Sequence, residues 1–170
     1  MIFLGLGSNL SSKYGDRFVN INLAISFLEG YGIKVIKKSS FYETPSYPNK
    51  GNPKFINAVI LVKTILPPTE LMSVLIFIEE KLERKRIKKN DPRTCDIDII
   101  DYNSQILNLR YNNLNVTVPH KELTSRNFIL FPLQEISPMW RHPKTKEFIS
   151  VLLQKLSKED KNSILKIDEN

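Results

Sequence analysis

Apolar and polar positions along the chain switch between two periods. Ile2–Leu6 is a short apolar run that stops at Gly7-Ser8-Asn9, the pattern of a buried strand and a turn. From Asp16 the spacing becomes helical: Phe18, Ile21, Ile25 and Leu28 share one face, and Gly30 and Gly32 end it. Ile33–Tyr42 is rich in β-branched and aromatic residues and reads as one strand. A turn then runs from Thr44 to Pro53, where Pro45, Pro48 and Pro53 deny a ladder and favour an ordered, extended loop. Phe55–Lys63 is a strong strand. Pro67-Pro68 opens a helix at positions that tolerate proline, with Leu71, Leu75, Ile78 and Leu82 as its core stripe. Arg84–Arg93 is polar and basic and has neither period. Cys95–Tyr102 alternates as a strand, and Ile106-Leu107 with Leu114–Val118 reads as a hairpin. Ser125–Ile136 reads as a helix interrupted near Pro132, and Phe148–Leu156 as a short helix. From Ser157 to Asn170 the tail is charged and poorly patterned.

Strand, helix, strand, strand, helix, strand is the order of an α+β ferredoxin-like sandwich, here with an added hairpin and C-terminal helices. With 170 residues and no linker or internal repeat, the chain reads as a single domain over 1–170. Composition changes this picture little: 41% hydrophobic and 25% charged residues are ordinary for a globular protein. Charge changes it more. Lys and Arg number 25 against 18 Asp and Glu, a net +7, which suits anionic partners such as nucleotide, nucleic acid or acidic lipid, or a lysine-rich surface kept for solubility. The lone thiol, Cys95, makes neither an internal disulfide nor a zinc cluster and fits a reducing compartment. No apolar run approaches the roughly 20 residues of a membrane span, and the apolar N-terminus has no basic leader. The expected location is the cytoplasm.

Asp96-Ile97-Asp98 carries the sharpest chemical signal. Residues i and i+2 of a strand face one way, so the two carboxylates stand side by side, about 7 Å apart at their Cα atoms. Left bare they repel, and a hard divalent cation such as Mg²⁺ relieves this while leaving room for phosphate oxygens. Cys95, Ile97 and Ile99 face the core. The plainer reading is the polar face of an edge strand. Arg93, and the run holding Arg84, Lys85, Arg86, Lys88 and Lys89, shift the balance toward a polyphosphate gripped between metal and guanidinium forks.

Asn57 shares one strand face with Phe55, Val59 and Leu61, so an amide sits among apolar neighbours. It either fixes the Thr44–Pro53 loop or reads a heterocycle with both donors and acceptors. Glu79, at the edge of a helix stripe, reads by itself as a solvated carboxylate. His120 and His142 are too separated for a zinc site or a triad. Gly5-Leu6-Gly7-Ser8-Asn9 lacks the lysine and spacing of a phosphate-binding loop.

Several blocks then occur in order. They are Gly5-Leu6-Gly7-Ser8-Asn9-Leu10, Ser40-Phe41-Tyr42-Glu43-Thr44-Pro45, Phe55-Ile56-Asn57-Ala58-Val59 and Pro92-Arg93-Thr94-Cys95-Asp96-Ile97-Asp98-Ile99. Val118-Pro119-His120, Arg126-Asn127-Phe128 and Pro132-Leu133-Gln134-Glu135-Ile136 follow. With these the chain resembles the 6-hydroxymethyl-7,8-dihydropterin pyrophosphokinases of folate synthesis, up to about Leu156. The resemblance implies transfer of pyrophosphate from ATP to the pterin hydroxymethyl group, with AMP released. It implies two Mg²⁺ on Asp96 and Asp98, and the transfer carried by Arg84, Arg93, Asp96 and Asp98. For the pterin it implies Thr44, Pro45, Tyr47, Phe55, Asn57 and Phe128, with the two phenyl rings sandwiching the ligand. For ATP it implies Glu79, Arg84, Arg86, Arg93, Ile99, Thr117, His120 and Arg126. It further implies a monomer acting on small molecules, without nucleic acid or membrane, and leaves association with other folate-pathway enzymes open. The chain departs from the family pattern at Glu83 and Asp91, where glycine is common, and in a basic loop without an aromatic residue. A two-metal nucleotidyltransferase and a basic nucleic-acid-binding ferredoxin-like module are the alternatives. The first shares the acidic pair but does not need Asn57 and its aromatic neighbours. The second needs exposed aromatics where the carboxylates stand.

Overall fold

The computed structural model describes residues 1–86, 88 and 90–167. Ile87 and Lys89 of the basic loop and the last three residues lie outside the described set. Strands β1 (Ile2–Ser8), β2 (Lys34–Lys38), β3 (Phe41–Thr44), β4 (Phe55–Lys63), β5 (Asp96–Tyr102) and β8 (Leu165–Ile167) form a six-stranded sheet ordered β5-β1-β4-β3-β8, with β5 at one edge and β2 also paired with β4. β1 is antiparallel to both neighbours. With α1 (Arg17–Gly30) and α2 (Pro68–Lys81) as the two crossovers, this is the ferredoxin-like order expected of an α+β chain.

The two helices begin as their sequences dictate. The Asp16 carboxylate accepts the free Phe18 and Val19 N–H groups at 3.0 Å each, and Pro68 opens α2. Leu71, Leu75, Ile78 and Leu82 are all buried, as their spacing requires. α1 continues through Gly30, and the chain turns at Gly32, whose φ is +73°.

Alternation along β1 and β5 splits the core in two. Leu4, Leu6, Ile97 and Ile99 pack under α1 and α2 together with Cys95. Phe3, Val59 and Ile100 pack under α3 (Asn127–Ile136) and α4 (Ile149–Lys155) with Trp140. The hairpin β6 (Leu107–Tyr111) and β7 (Leu114–Val118) stands apart as its own small sheet.

Three expectations need correction. Ile33–Tyr42 is two strands, β2 and β3 (Phe41–Thr44), pairing with different halves of β4. Buried Ser39 breaks them, exchanging its N–H and hydroxyl with the Val59 peptide at 2.9 and 3.0 Å. α3 is not interrupted at Pro132. An internal proline costs about 3 kcal/mol, but burying Leu130, Leu133 and Ile136 returns roughly 1.5–3 kcal/mol each. The poorly patterned tail holds regular structure as far as Ile167: Ser157 caps a short helix α5 (Lys158–Asn162), and β8 (Leu165–Ile167) pairs with β3. A three-residue edge strand draws its order from backbone pairing, which leaves little periodic trace in a sequence.

Candidate active site

The site forms where the C-terminal end of β1 runs between the N-terminal ends of β4 and β5. Gly7 is opposite Asn57 on one side and Asp96 on the other, so all three residues share one row and one sheet face. A Cβ at Gly7 would stand 3.3 Å from Asn57 Oδ1 and 3.5 Å from Phe55. Its absence opens a hollow between the amide and the carboxylate. Two residues along, Gly5 lies opposite Asp98, and a Cβ there would stand 2.9 Å from Ile129 of α3. Glycine lets α3 settle onto β1. The start of that helix, Arg126 and Phe128, is thereby brought beside the acidic pair, and the Arg126 guanidinium lies 3.7 Å from Asp98.

Asp96 and Asp98 live in different surroundings. Asp96 is clasped by Arg84 and by Arg93, whose Nε donates at 2.8 Å. Burial alone would raise its pKa, but the two guanidiniums outweigh that and hold it below the ordinary carboxylate range. Asp98 keeps 49% of its side chain open. The protein packed beneath it and the charge on Asp96 push its pKa up to about 6. An electron-rich pair with one half-open member is what a hard cation would relieve. Among the described residues no group of three or more His, Cys, Asp or Glu converges, so phosphate oxygens and water would have to complete a metal shell.

Glu79 is not the solvated helix carboxylate that its position suggests: it is 2% exposed. Oε1 accepts the Ile97 N–H at 2.7 Å and pairs with Arg84, while Oε2 pairs with Arg86. Burial lifts its pKa to about 7, with Arg84 pulling down and Asp96 pushing up. Glu79 therefore ties α2 to β5 and holds both arginines at the cleft. A slot of about 120 Å³ adjoins this cluster, walled by Met72, Leu75, Ile99, Leu114 and Val116. Thr117 is not on that wall. Its parity on β7 is opposite to Leu114 and Val116, and its hydroxyl is bonded to Asn108 at 3.3 Å. Leu114 and Val116 are the residues that sequence reasoning missed, and their i, i+2 apolar spacing on the hairpin was the available signal. The His120 Nδ1 accepts the Glu122 N–H at 3.0 Å, and its Nε2 lies 3.3 Å from the Arg126 guanidinium.

On the other side of the hollow, Asn57 is held by its amide protons. Nδ2 donates to the Tyr42 carbonyl at 3.3 Å and to Thr44 Oγ1 at 3.0 Å. A carbonyl can only accept, which fixes the amide's orientation and leaves Oδ1 toward Gly7. Asn57 therefore presents an acceptor to the hollow, not the full amide. The Phe55 ring carries the Arg93 guanidinium at 4.9 Å, and the Phe128 ring carries Arg126 at 5.6 Å. Pro45 is half-buried beside Thr44, whereas Tyr47 is 84% exposed. Glu83 has φ +67°, the left-handed conformation that glycine takes without strain. The Lys13 N–H donates to its carboxylate at 2.9 Å.

Fold and site together define a ferredoxin-like α+β domain with a paired-carboxylate, arginine-ringed cleft of the kind that grips a polyphosphate. The chain belongs to the 7,8-dihydro-6-hydroxymethylpterin-pyrophosphokinase family, whose model matches residues 3–138. It is 38% identical over 144 residues to the 2-amino-4-hydroxy-6-hydroxymethyldihydropteridine pyrophosphokinase of Aquifex aeolicus, covering 84% of this chain and 83% of that one. It is 35% identical over 164 residues to the folic acid synthesis protein fol1 of Pneumocystis carinii, covering 96% of this chain. The chain spans only 21% of that fungal protein, and 20% of its fission-yeast counterpart. Among solved structures, a Plasmodium falciparum HPPK-DHPS in complex with pteroate shares the fold at a TM-score of 0.75 and 16% identity, over 98% of this chain and 46% of that one.

Proposed function

We propose that this chain transfers the β,γ-pyrophosphoryl group of ATP to the hydroxymethyl group of 6-hydroxymethyl-7,8-dihydropterin, releasing AMP, as a step of folate synthesis. The observation that carries the reading is the Asn57–Gly7–Asp96 row, which sets an amide and the Phe55 ring next to an acidic pair. Asp96 and Asp98 would hold two Mg²⁺, which when bound would neutralise and align the triphosphate. The slot beside Ile99, with its apolar walls, suits the flat base of the nucleotide. Arg84, Arg86 and Arg93 would trade Asp96 and Glu79 for phosphate oxygens, and Arg126 at the start of α3 and His120 in the turn after β7 would meet the same anion. Phe55 and Phe128 would stack the pterin once their arginines move to phosphate, while Asn57 Oδ1 accepts an N–H at its edge. The backbone of the Thr44-Pro45 turn and of Tyr47 would complete that edge.

The hydroxymethyl oxygen then attacks the β-phosphorus. The bond from that phosphorus to the α,β-bridging oxygen breaks, AMP carries away the electron pair, and the hydroxyl proton is lost. Arg84 and Arg93 stabilise the charge on the migrating group without covalent catalysis. The reading takes 1–170 as one catalytic domain, acting as a cytoplasmic monomer on small molecules. No described helix is long and apolar enough to cross a membrane. The test is AMP release from ATP and Mg²⁺, with and without the hydroxymethyl-dihydropterin. Pterin-dependent AMP is expected; AMP formed at the same rate without pterin would overturn the reading.

A further inference from the structure

Asn9 lies at the end of β1, is 2% exposed, and belongs to none of the groups assigned so far to pterin, phosphate or metal. Its bonding capacity is fully committed, and to two different places. Its backbone N–H donates to the Arg93 carbonyl at 3.0 Å, and its Oδ1 accepts the Arg93 N–H at 2.7 Å, so one peptide side of Arg93 is held at both ends. Its Nδ2 donates to Ser46 Oγ at 3.2 Å and to the Pro53 carbonyl at 3.0 Å. Ser46 Oγ, itself buried, donates to the same Pro53 carbonyl at 2.5 Å. Ser46 and Pro53 are the two ends of the loop between Thr44 and Phe55. Arg93 is the guanidinium that clasps Asp96 and covers the Phe55 ring.

We infer that Asn9 is a positioning residue that couples the pterin loop to the phosphate-side arginine. A buried primary amide has two donors and one acceptor in one plane, and here the donors hold one substrate loop while the acceptor holds the other. Neither can shift without breaking a buried hydrogen bond or moving its counterpart. Ordering the Arg93 peptide on a nucleotide therefore pre-orders the loop that carries Thr44, and ordering that loop on a pterin pre-orders Arg93. The coupling is reciprocal, since linkage acts equally on both ligands. This rests on the pterin and nucleotide reading above.

The experiment uses Asn9→Ala and Ser46→Ala in the full chain. Ser46→Ala weakens only the loop arm, removing the Ser46 bonds to Asn9 and Pro53 while the Asn9–Pro53 bond and the Arg93 arm stay. Affinity for the hydroxymethyl-dihydropterin is measured by calorimetry with and without Mg²⁺ and α,β-methylene-ATP, alongside kcat and KM. In the wild type each ligand is expected to tighten the other at least severalfold. Asn9→Ala is expected to bring that ratio close to one and to lower kcat tenfold or more, with the nucleotide affinity alone changed less than twofold to threefold. Ser46→Ala is expected to lower the ratio partway. A wild-type ratio near one overturns the inference. So does a Ser46→Ala ratio equal to wild type, which holds even should Asn9→Ala fail to fold. Equal weakening of both ligands by Asn9→Ala, with kcat kept, would make Asn9 a fixture of the fold. Absence of pterin-dependent AMP from the wild type counts instead against the functional reading.

Discussion

Replacing Asn57 by alanine separates the two things this amide does. Its Nδ2 holds the Tyr42 carbonyl and Thr44 Oγ1, both buried, so its loss leaves two acceptors without a donor. At about 1–3 kcal/mol for each unmet buried group, relieved by whatever water enters the space, the fold is expected to lose roughly 2–4 kcal/mol. Its Oδ1 faces the hollow beside Gly7, where a pterin N–H would donate to it. Losing that acceptor is expected to weaken pterin binding by about 1–3 kcal/mol, roughly five- to 150-fold in Kd. The nucleotide side should feel neither loss, because Gly7 stands between Asn57 and Asp96 and carries no side chain to transmit a shift. The assay is calorimetry of pterin and of α,β-methylene-ATP on the same preparation, with a urea melt to read stability. Thr44→Val provides the graded control: it keeps Oδ1 but frees one amide proton, and is expected to cost about 1 kcal/mol of pterin affinity. Equal loss of both ligands, or pterin affinity kept by the alanine variant, would refute the reasoning and leave Asn57 as a fixture of the β3–β4 pair.

Other expectations follow from the same geometry. Asp98→Asn removes a half-open carboxylate with one long contact to Arg126, so stability should change by less than about 1 kcal/mol. AMP release at saturating Mg²⁺ should still fall at least about 100-fold. Glu79→Ala strands the Ile97 N–H, Arg84 and Arg86, and should destabilise by roughly 3–5 kcal/mol in a urea titration. Glu135 accepts from Tyr42 and from Ser40, and although burial raises its pKa, those hydrogen bonds hold it below the ordinary value. A depressed folded-state pKa gives stability that is present above the unfolded value and lost as pH falls through the folded one. Glu135→Gln should therefore flatten the decline of melting temperature between about pH 5 and 3.

The order of elements was legible because β1 and β4 are apolar runs buried on both faces, α2 carries a helical apolar stripe, and Asp16 and Pro68 mark where the two helices begin. What escaped the pattern was decided by partners distant in sequence. Nothing near Glu79 announces that the Ile97 N–H and two guanidiniums will bury it. Ser39 looks like any strand serine until its exchange with the Val59 peptide splits β2 from β3. The side of β7 that meets the cleft depends on how the hairpin docks, so Leu114 and Val116, and not Thr117, wall the slot. The carboxylate pair was legible from strand parity, and the mutual placement of Asn57 and Asp96 was not, since it depends on the register of two antiparallel pairings through Gly7.

That register has a further consequence for how charge is handled. A cleft built to receive a highly charged anion must keep several arginines dehydrated and in place beforehand. Here each is held by something the proposed ligands would displace: Arg84 and Arg93 by Asp96, Arg86 by Glu79, and Arg126 by Asp98 and Glu122. Two of them also lie over the phenyl rings that the pterin would stack against. Binding would then exchange partners rather than bring new charges out of water. Asp96 and Asp98 would be free to hold cations, and the guanidiniums, already largely buried, would turn to phosphate. The desolvation cost that makes buried ion pairs poor stabilisers is largely met when the chain folds. On the proposed function the arginines would thus be pre-organised for the developing charge, and the carboxylates would keep them so until an anion and its metal arrive together.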